Sequence, residues 1–91
     1  MSSELESLAE HAEEALVSFL RAELELGFTY WKTAKVESSL DSEGEKRAMK
    51  LAKGALNTIE RFRPSITDPA IQEELRESAM DLERLLSSKL F

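Results

Sequence analysis

The sequence predicts an all-α fold, an antiparallel three-helix bundle with a long first helix. Apolar residues recur at alternating steps of three and four, which is the spacing of one helix face. Two turn-like segments, 38–45 and 63–68, separate the periodic stretches. Ninety-one residues suit one small domain, so we expect residues 1–91 to form a single helical bundle near the size at which dimerisation often supplies missing stability.

The first helix is expected over residues 3–38. Its main apolar stripe keeps the three-four spacing without interruption through Leu5, Leu8, Ala12, Ala15, Phe19, Ala22 and Leu26. No proline interrupts it. Gly27 is the one weak point, because glycine destabilises a helix by about 1 kcal/mol relative to alanine, and it marks either a bend or a close helix contact.

The middle of this helix is apolar on two faces, whereas a small helical domain needs only one. Between Leu16 and Trp31 the apolar side chains cover well over half of the circumference. The surplus surface predicts contact with another chain.

The second helix is expected over residues 43–62. Ser42 and Glu45 fit a capping box at its start, and Arg63 precedes a proline, which disfavours helical torsions and ends the helix. Its inward face is predicted to comprise Ala48, Leu51, Ala52, Ala55, Leu56, Ile59 and Phe62.

The third helix is expected over residues 68–89. Asp68 and Pro69 are a typical N-cap and first helical residue, with Thr67 as a competing cap. The predicted buried face comprises Ile71, Leu75, Ala79, Leu82, Leu86 and Leu90.

The three helices differ in length. Short connections make neighbours antiparallel, and a first helix of about 54 Å, at 1.5 Å per residue, exceeds the others, at about 30 Å each. Residues 3–18 would then project past the bundle. Either this overhang pairs with a second copy, or the first helix breaks and folds back as a fourth short helix. The absence of a turn signal before residue 27 favours a homodimer, with its interface at Leu5, Leu8, Ala12, Ala15 and Leu16.

The second apolar face offers a candidate partner site. Leu24, Phe28 and Trp31 lie on it, and aromatic residues there suit a peptide or a partner helix. The alternative is that this face packs on the third helix. Glu23 falls within the main apolar arc, opposite Arg63 in an antiparallel hairpin, so we predict a structural ion pair between them.

The sequence offers little for covalent chemistry. It has no cysteine and one histidine, His11, with Glu14 three residues later. The absence of cysteine removes cysteine nucleophiles, and the Glu-x-x-His spacing of di-iron bundles is absent because position 8 is leucine. We therefore expect no enzymatic activity, no catalytic residues, no cofactor and no metal site.

The net charge of −6 is unevenly placed. Residues 1–40 hold eight acids against three bases, residues 41–63 four against six, and residues 64–91 six against three. Lys46, Lys50 and Lys53 share a face that either receives an acidic partner or pairs with the other helices of the chain. An acidic chain without a basic stripe is not expected to bind nucleic acid, and no apolar run suits a membrane span or signal peptide, so a cytoplasmic location is expected.

One stretch resembles a tetratricopeptide helix pair. The segment from Leu26 to Tyr30, with Gly27 at its second position, is followed by the alanines Ala48, Ala52 and Ala55. The second helix arrives about nine residues later than in that family, and no repeat of about 34 residues is present. We expect a non-catalytic, homo-oligomeric interaction or scaffold module acting on an unknown protein partner. The alternatives are a monomeric tetratricopeptide-like adaptor that binds a peptide on the Trp31 face and a small ligand or metal carrier.

Overall fold

The chain folds as three α-helices joined by short connections: α1 (Ser2–Glu37), α2 (Ser42–Phe62) and α3 (Pro69–Ser88). The computed structural model describes the backbone of residues 2–88 and the side chains of residues 11–88. α1 packs against both α2 and α3. The predicted all-α three-helix bundle is confirmed, and within the described backbone each helix end falls within one residue of its expected position.

α1 is one continuous helix of 36 residues. It passes through Gly27 without a break, so the fold-back into a fourth helix does not occur. A Cβ placed on Gly27 would lie 2.6 Å from Leu82 Cδ2 and 3.4 Å from Ala55 Cβ. The glycine therefore marks a close contact of three helices, which was one of its two predicted roles.

α2 begins with a different cap from the predicted one. Asp41, in an extended conformation, is the N-cap, and its Oδ1 accepts a hydrogen bond from the Glu43 backbone N–H at 3.1 Å. Its carbonyl accepts the Glu45 N–H at 3.0 Å, the first bond of the helix. Ser42 is already helical, so the predicted Ser42 capping box is wrong by one residue. An aspartate is at least as good an acceptor at this position as the serine that follows it.

The connection from α2 to α3 also departs from expectation at its start. Arg63 keeps helical torsions (φ −53°, ψ −41°), and a 3-10 turn covers Arg63–Ser65. A proline lacks only an N–H that the first residues of such a turn leave unbonded, so the turn accommodates Pro64. Asp68 caps α3 as predicted, because its Oδ1 accepts the N–H groups of Ala70 (2.9 Å) and Ile71 (3.3 Å).

The core consists of two adjoining clusters. The larger contains Leu20, Ile59 and Leu75 and lies where α3 begins, and the smaller contains Leu82 and Leu86 towards its end. The inward face of α3 is confirmed at the buried residues Leu75, Ala79, Leu82 and Leu86, with Ile71 half-buried; Leu90 lies outside the described residues.

The inward face of α2 is narrower than predicted. Its buried residues are Gly44, Ala48, Ala52, Ala55 and Ile59, and Leu56 is half-buried. Leu51 and Phe62, which were expected inside, are exposed. Because α2 contacts the other helices through its smallest residues, these larger side chains are left at the edge of the contact.

Among the described residues, no helix is both long and apolar enough to cross a membrane.

Candidate interaction surface

One face of α1 carries a stripe of apolar side chains that neither α2 nor α3 covers. We call it the outer stripe, and it comprises Ala12, Ala15, Phe19, Ala22 and Leu26, all of them exposed. Phe19 is 45% exposed and Leu26 is 43% exposed. Their three-four spacing is that of the a and d positions of a coiled coil, the positions that insert between the side chains of a facing helix.

The bundle core uses the opposite face of the same helix. Its buried residues are Val17, Leu20, Leu24, Gly27 and Ala34. The main apolar stripe of α1 is therefore turned away from the other helices at Phe19, Ala22 and Leu26. The reason lies at Gly27, where the absence of a side chain lets Ala55 and Leu82 approach together. The outer stripe has no glycine at which two helices could converge.

The predicted dimer interface is divided by this arrangement. Ala12 and Ala15 lie on the outer stripe, whereas Leu16 is half-buried against the larger core cluster. The side chains of Leu5 and Leu8 lie outside the described residues. Among the described side chains, Glu13 and Val17 already contact the rest of the bundle, so the part of α1 that projects is shorter than the predicted 3–18.

A groove between α1 and α2 continues the outer stripe. It encloses about 280 Å³, and its lining includes Thr29 and Thr33 of α1 and Arg47 and Leu51 of α2. Thr29 and Thr33 extend the three-four spacing beyond Leu26. We call this feature the α1–α2 groove. It gives the C-terminal half of the stripe a second wall with an apolar and a cationic side chain.

The candidate partner face at Trp31 is largely occupied within the chain. Leu24 is buried in the larger cluster, Phe28 packs against both clusters, and Trp31 packs against the smaller one. The Lys35 Nζ lies 5.4 Å from the centre of the Trp31 ring. The alternative reading, that this face packs within the bundle, is the one the structure bears out, and little of it is left for a peptide.

Glu23 and Arg63 do not form the predicted ion pair. Arg63 is mostly buried, and its guanidinium instead lies 3.5 Å from the Glu60 carboxylate, one turn earlier on α2. Glu23 is half-buried and takes part in no ion pair among residues 11–88. A partner on the same helix is available without bringing two long side chains together across the hairpin.

A contact that the sequence did not reveal ties the start of α3 to α1. The Thr67 hydroxyl donates to the Glu13 carboxylate at 2.7 Å, and the Thr67 backbone N–H donates to the same oxygen. These hydrogen bonds, the backbone one first, hold the pKa of Glu13 below its usual range. A second link joins Arg21 to Glu74 at 2.8 Å. Both pairs are distant in sequence, so no local pattern points to them.

The lysine face of α2 remains largely free of intramolecular ion pairs. Lys46 lies 3.7 Å from Glu43 on its own helix, and among the described side chains Lys50 and Lys53 form none. Pairing with the other two helices, one of the two alternatives for this face, is therefore not formed in this part of the chain. These lysines line a hollow of about 630 Å³ together with Met49. The face is an exposed surface of α2 with three lysines and one acid, Glu45.

His11 and Glu14 are the remaining polar pair that the sequence singled out. His11 contacts Glu14 at 3.7 Å, as its spacing suggested, and both side chains are exposed. In the part of the chain with described side chains, no three His, Cys, Asp or Glu residues converge as metal ligands. Comparison of the chain with protein-family models, curated proteins and solved structures gives no match.

Proposed function

We propose that the protein is a non-catalytic interaction or scaffold module that forms a homodimer through the outer stripe of α1. The observation that carries the proposal is the exposure of this stripe in a chain whose opposite helix face already forms the core. Phe19 and Leu26 occupy heptad positions, so a second helix bearing the same spacing is complementary to them. Every copy of the chain carries such a helix, and a two-fold symmetric dimer uses the same patch on both copies.

The area of such a dimer depends on the whole length of α1 and not on the outer stripe alone. The outer stripe, from Ala12 to Leu26, is about 21 Å long at 1.5 Å per residue. Two 36-residue helices that face each other along their whole length would each contribute a strip about 54 Å long and about 10 Å wide, or roughly 500 Å² on each copy. Two such strips approach the roughly 1,000 Å² of total area that marks a specific interface. The dimer would present two bundles, each with its lysine face, to a further partner.

Charge placed in the stripe tests the proposal. Phe19→Glu combined with Leu26→Glu puts two carboxylates into the proposed contact, and desolvating them would oppose association. Met80 is a matched control, since it is also apolar and exposed but lies on the outward face of α3. Size exclusion with light scattering is expected to give a dimer for the wild type and for Met80→Glu, and a monomer for the double variant.

Circular dichroism of the three proteins separates association from folding. The double variant should keep its helical content, because neither residue belongs to the core. A dimeric double variant, or a monomeric wild type at the same concentration, would contradict the proposal.

A further inference from the structure

We infer that the two copies pair antiparallel along α1, with Phe19 of one copy against Ala22 of the other and Leu26 against Ala15. This inference rests on the proposed dimer and specifies its geometry. It places the N-terminal end of each α1 over the α1–α2 groove of the second copy.

The order of large and small residues along the outer stripe supports this orientation. The a positions at Phe19 and Leu26 are large, whereas the d positions at Ala15 and Ala22 are small. Antiparallel helices place an a residue opposite a d residue, so each large side chain meets an alanine and the layers have similar volume. One alignment of the two helices brings Phe19 opposite Ala22 and, at the same time, Leu26 opposite Ala15.

A parallel pair would place identical residues opposite each other. Two Phe19 rings would then hold the helices apart, while the neighbouring layers of Ala15 and Ala22 require them to approach closely. One interaxial distance cannot satisfy both, and the alanine layers would be left as voids.

Charge favours the same orientation. Residues 1–20 carry five glutamates and no lysine or arginine, so a parallel pair would bring two strongly acidic ends together. An antiparallel pair instead brings this acidic end to the α1–α2 groove, whose lining holds one cation, Arg47, and one acid, Glu37. Arg47 has a loose intramolecular contact, 3.9 Å to Asp41, and most of its side chain is exposed. Opposite charges attract and like charges repel, so the antiparallel orientation avoids placing two acidic ends side by side.

The α1–α2 groove is the place where the N-terminal part of the second copy's α1 would bind. In the register set by Phe19 and Ala22, Ala12 of the second copy lies opposite Thr29. The preceding turns of its helix then run along Thr33 towards the end of α1, with Leu51 of α2 as the second wall. The second copy's helix would thereby cover Leu51, which is exposed in the single chain.

Spin labels on introduced cysteines test the orientation, since the native chain has none to interfere. His11→Cys and Lys32→Cys lie on exposed positions flanking the outer stripe. All distances are between the backbone sites of the two labels. For an antiparallel pair, two labels at position 11 should be about 30 Å apart, and two labels at position 32 about 35 Å apart. A label at position 11 in one copy should lie about 10 Å from a label at position 32 in the other. A parallel pair predicts the reverse, with short distances in both single-position samples and a long one in the mixture.

Light scattering on the same labelled samples separates the two ways of failing. A dimeric mass with short distances at both single positions would overturn the antiparallel orientation and leave the proposed dimer standing. A monomeric mass would overturn both. A dimeric mass with long distances at both single positions and a short distance in the mixed sample supports the antiparallel orientation. Labels at Met80→Cys, on the outward face of α3, check that the label itself does not drive association.

Discussion

Phe19 and Leu20 are neighbours on one helix, yet Phe19 is 45% exposed and Leu20 is fully buried. They stand for the two faces of α1, which share the same apolar spacing. The inner face holds Gly27, whose missing side chain lets Ala55 of α2 and Leu82 of α3 approach, whereas the smallest residues of the outer stripe are alanines. Periodicity thus predicts how many apolar faces a helix has, whereas the position of the glycine marks the face that the bundle covers.

Truncating Phe19 and Leu20 to alanine, one at a time, should give the largest difference in the free energy of unfolding. Leu20→Ala removes buried methyl groups from the core and is expected to cost about 2–5 kcal/mol of the free energy of unfolding. Phe19→Ala should change the stability of the monomer by no more than about 0.5 kcal/mol. It should instead weaken the dependence of the melting temperature on protein concentration, because association stabilises the folded state by mass action.

Thermal melts over a hundredfold range of concentration check both expectations. A Phe19→Ala variant that loses as much stability as Leu20→Ala, at the lowest concentration, would mean that the outer stripe is covered within one chain.

Alanine substitutions at Gly27 and Gly54 compare a closely packed position with an open one. At Gly27 a Cβ would come within 2.6 Å of Leu82, a fully buried side chain, so Gly27→Ala is expected to overpack the core. Overpacking costs about 1–3 kcal/mol, and a gain of about 1 kcal/mol in helix propensity offsets part of it. Gly54→Ala is the control, since nothing lies within 4 Å of its Cβ, and it should stabilise α2 by about 0.5–1 kcal/mol.

Urea denaturation of the two variants measures the difference. The outcome that counts against the proposed role of Gly27 is an equal gain in stability at both glycines, because the contact at Gly27 would then impose no packing constraint.

The smallest effect is expected at the link between Glu13 and Thr67. Since hydrogen bonds hold the folded pKa of Glu13 below its unfolded value, the carboxylate contributes stability above the unfolded pKa, about 4.3, and loses it as the pH falls through the folded pKa. Glu13→Gln should therefore lower the melting temperature near pH 7, and the difference from the wild type should vanish under strong acid.

Glu14→Gln serves as the control, since that neighbouring carboxylate contacts only the exposed His11 among the described side chains. A difference at Glu13 that is the same at every pH would show that the ionised carboxylate is not what stabilises the contact.

The helices, their order and the buried face of α3 could be predicted because they depend on local patterns. The Asp68 cap and the apolar positions of α3 lie within one element, and the structure places them as expected. The Ser42 cap failed for a local reason, since two adequate caps stand side by side and the carboxylate of Asp41 prevailed.

The tertiary details could not be predicted in the same way. Which face of α1 turns inward depends on contacts between Gly27, Ala55 and Leu82, which lie on three different helices. Which carboxylate pairs with Arg63 likewise depended on side-chain rotamers, and Glu60, three residues earlier, was within reach. The outer stripe was visible as surplus apolar surface, but its position as the free face required the packed bundle.

Sedimentation equilibrium of the unmodified protein measures whether a second copy covers the outer stripe of α1. The chain mass is 10.3 kDa. A homodimer through the outer stripe predicts a reversible monomer–dimer equilibrium whose limiting mass is twice that value at high concentration. A mass that stays at 10.3 kDa over the whole accessible range would contradict it.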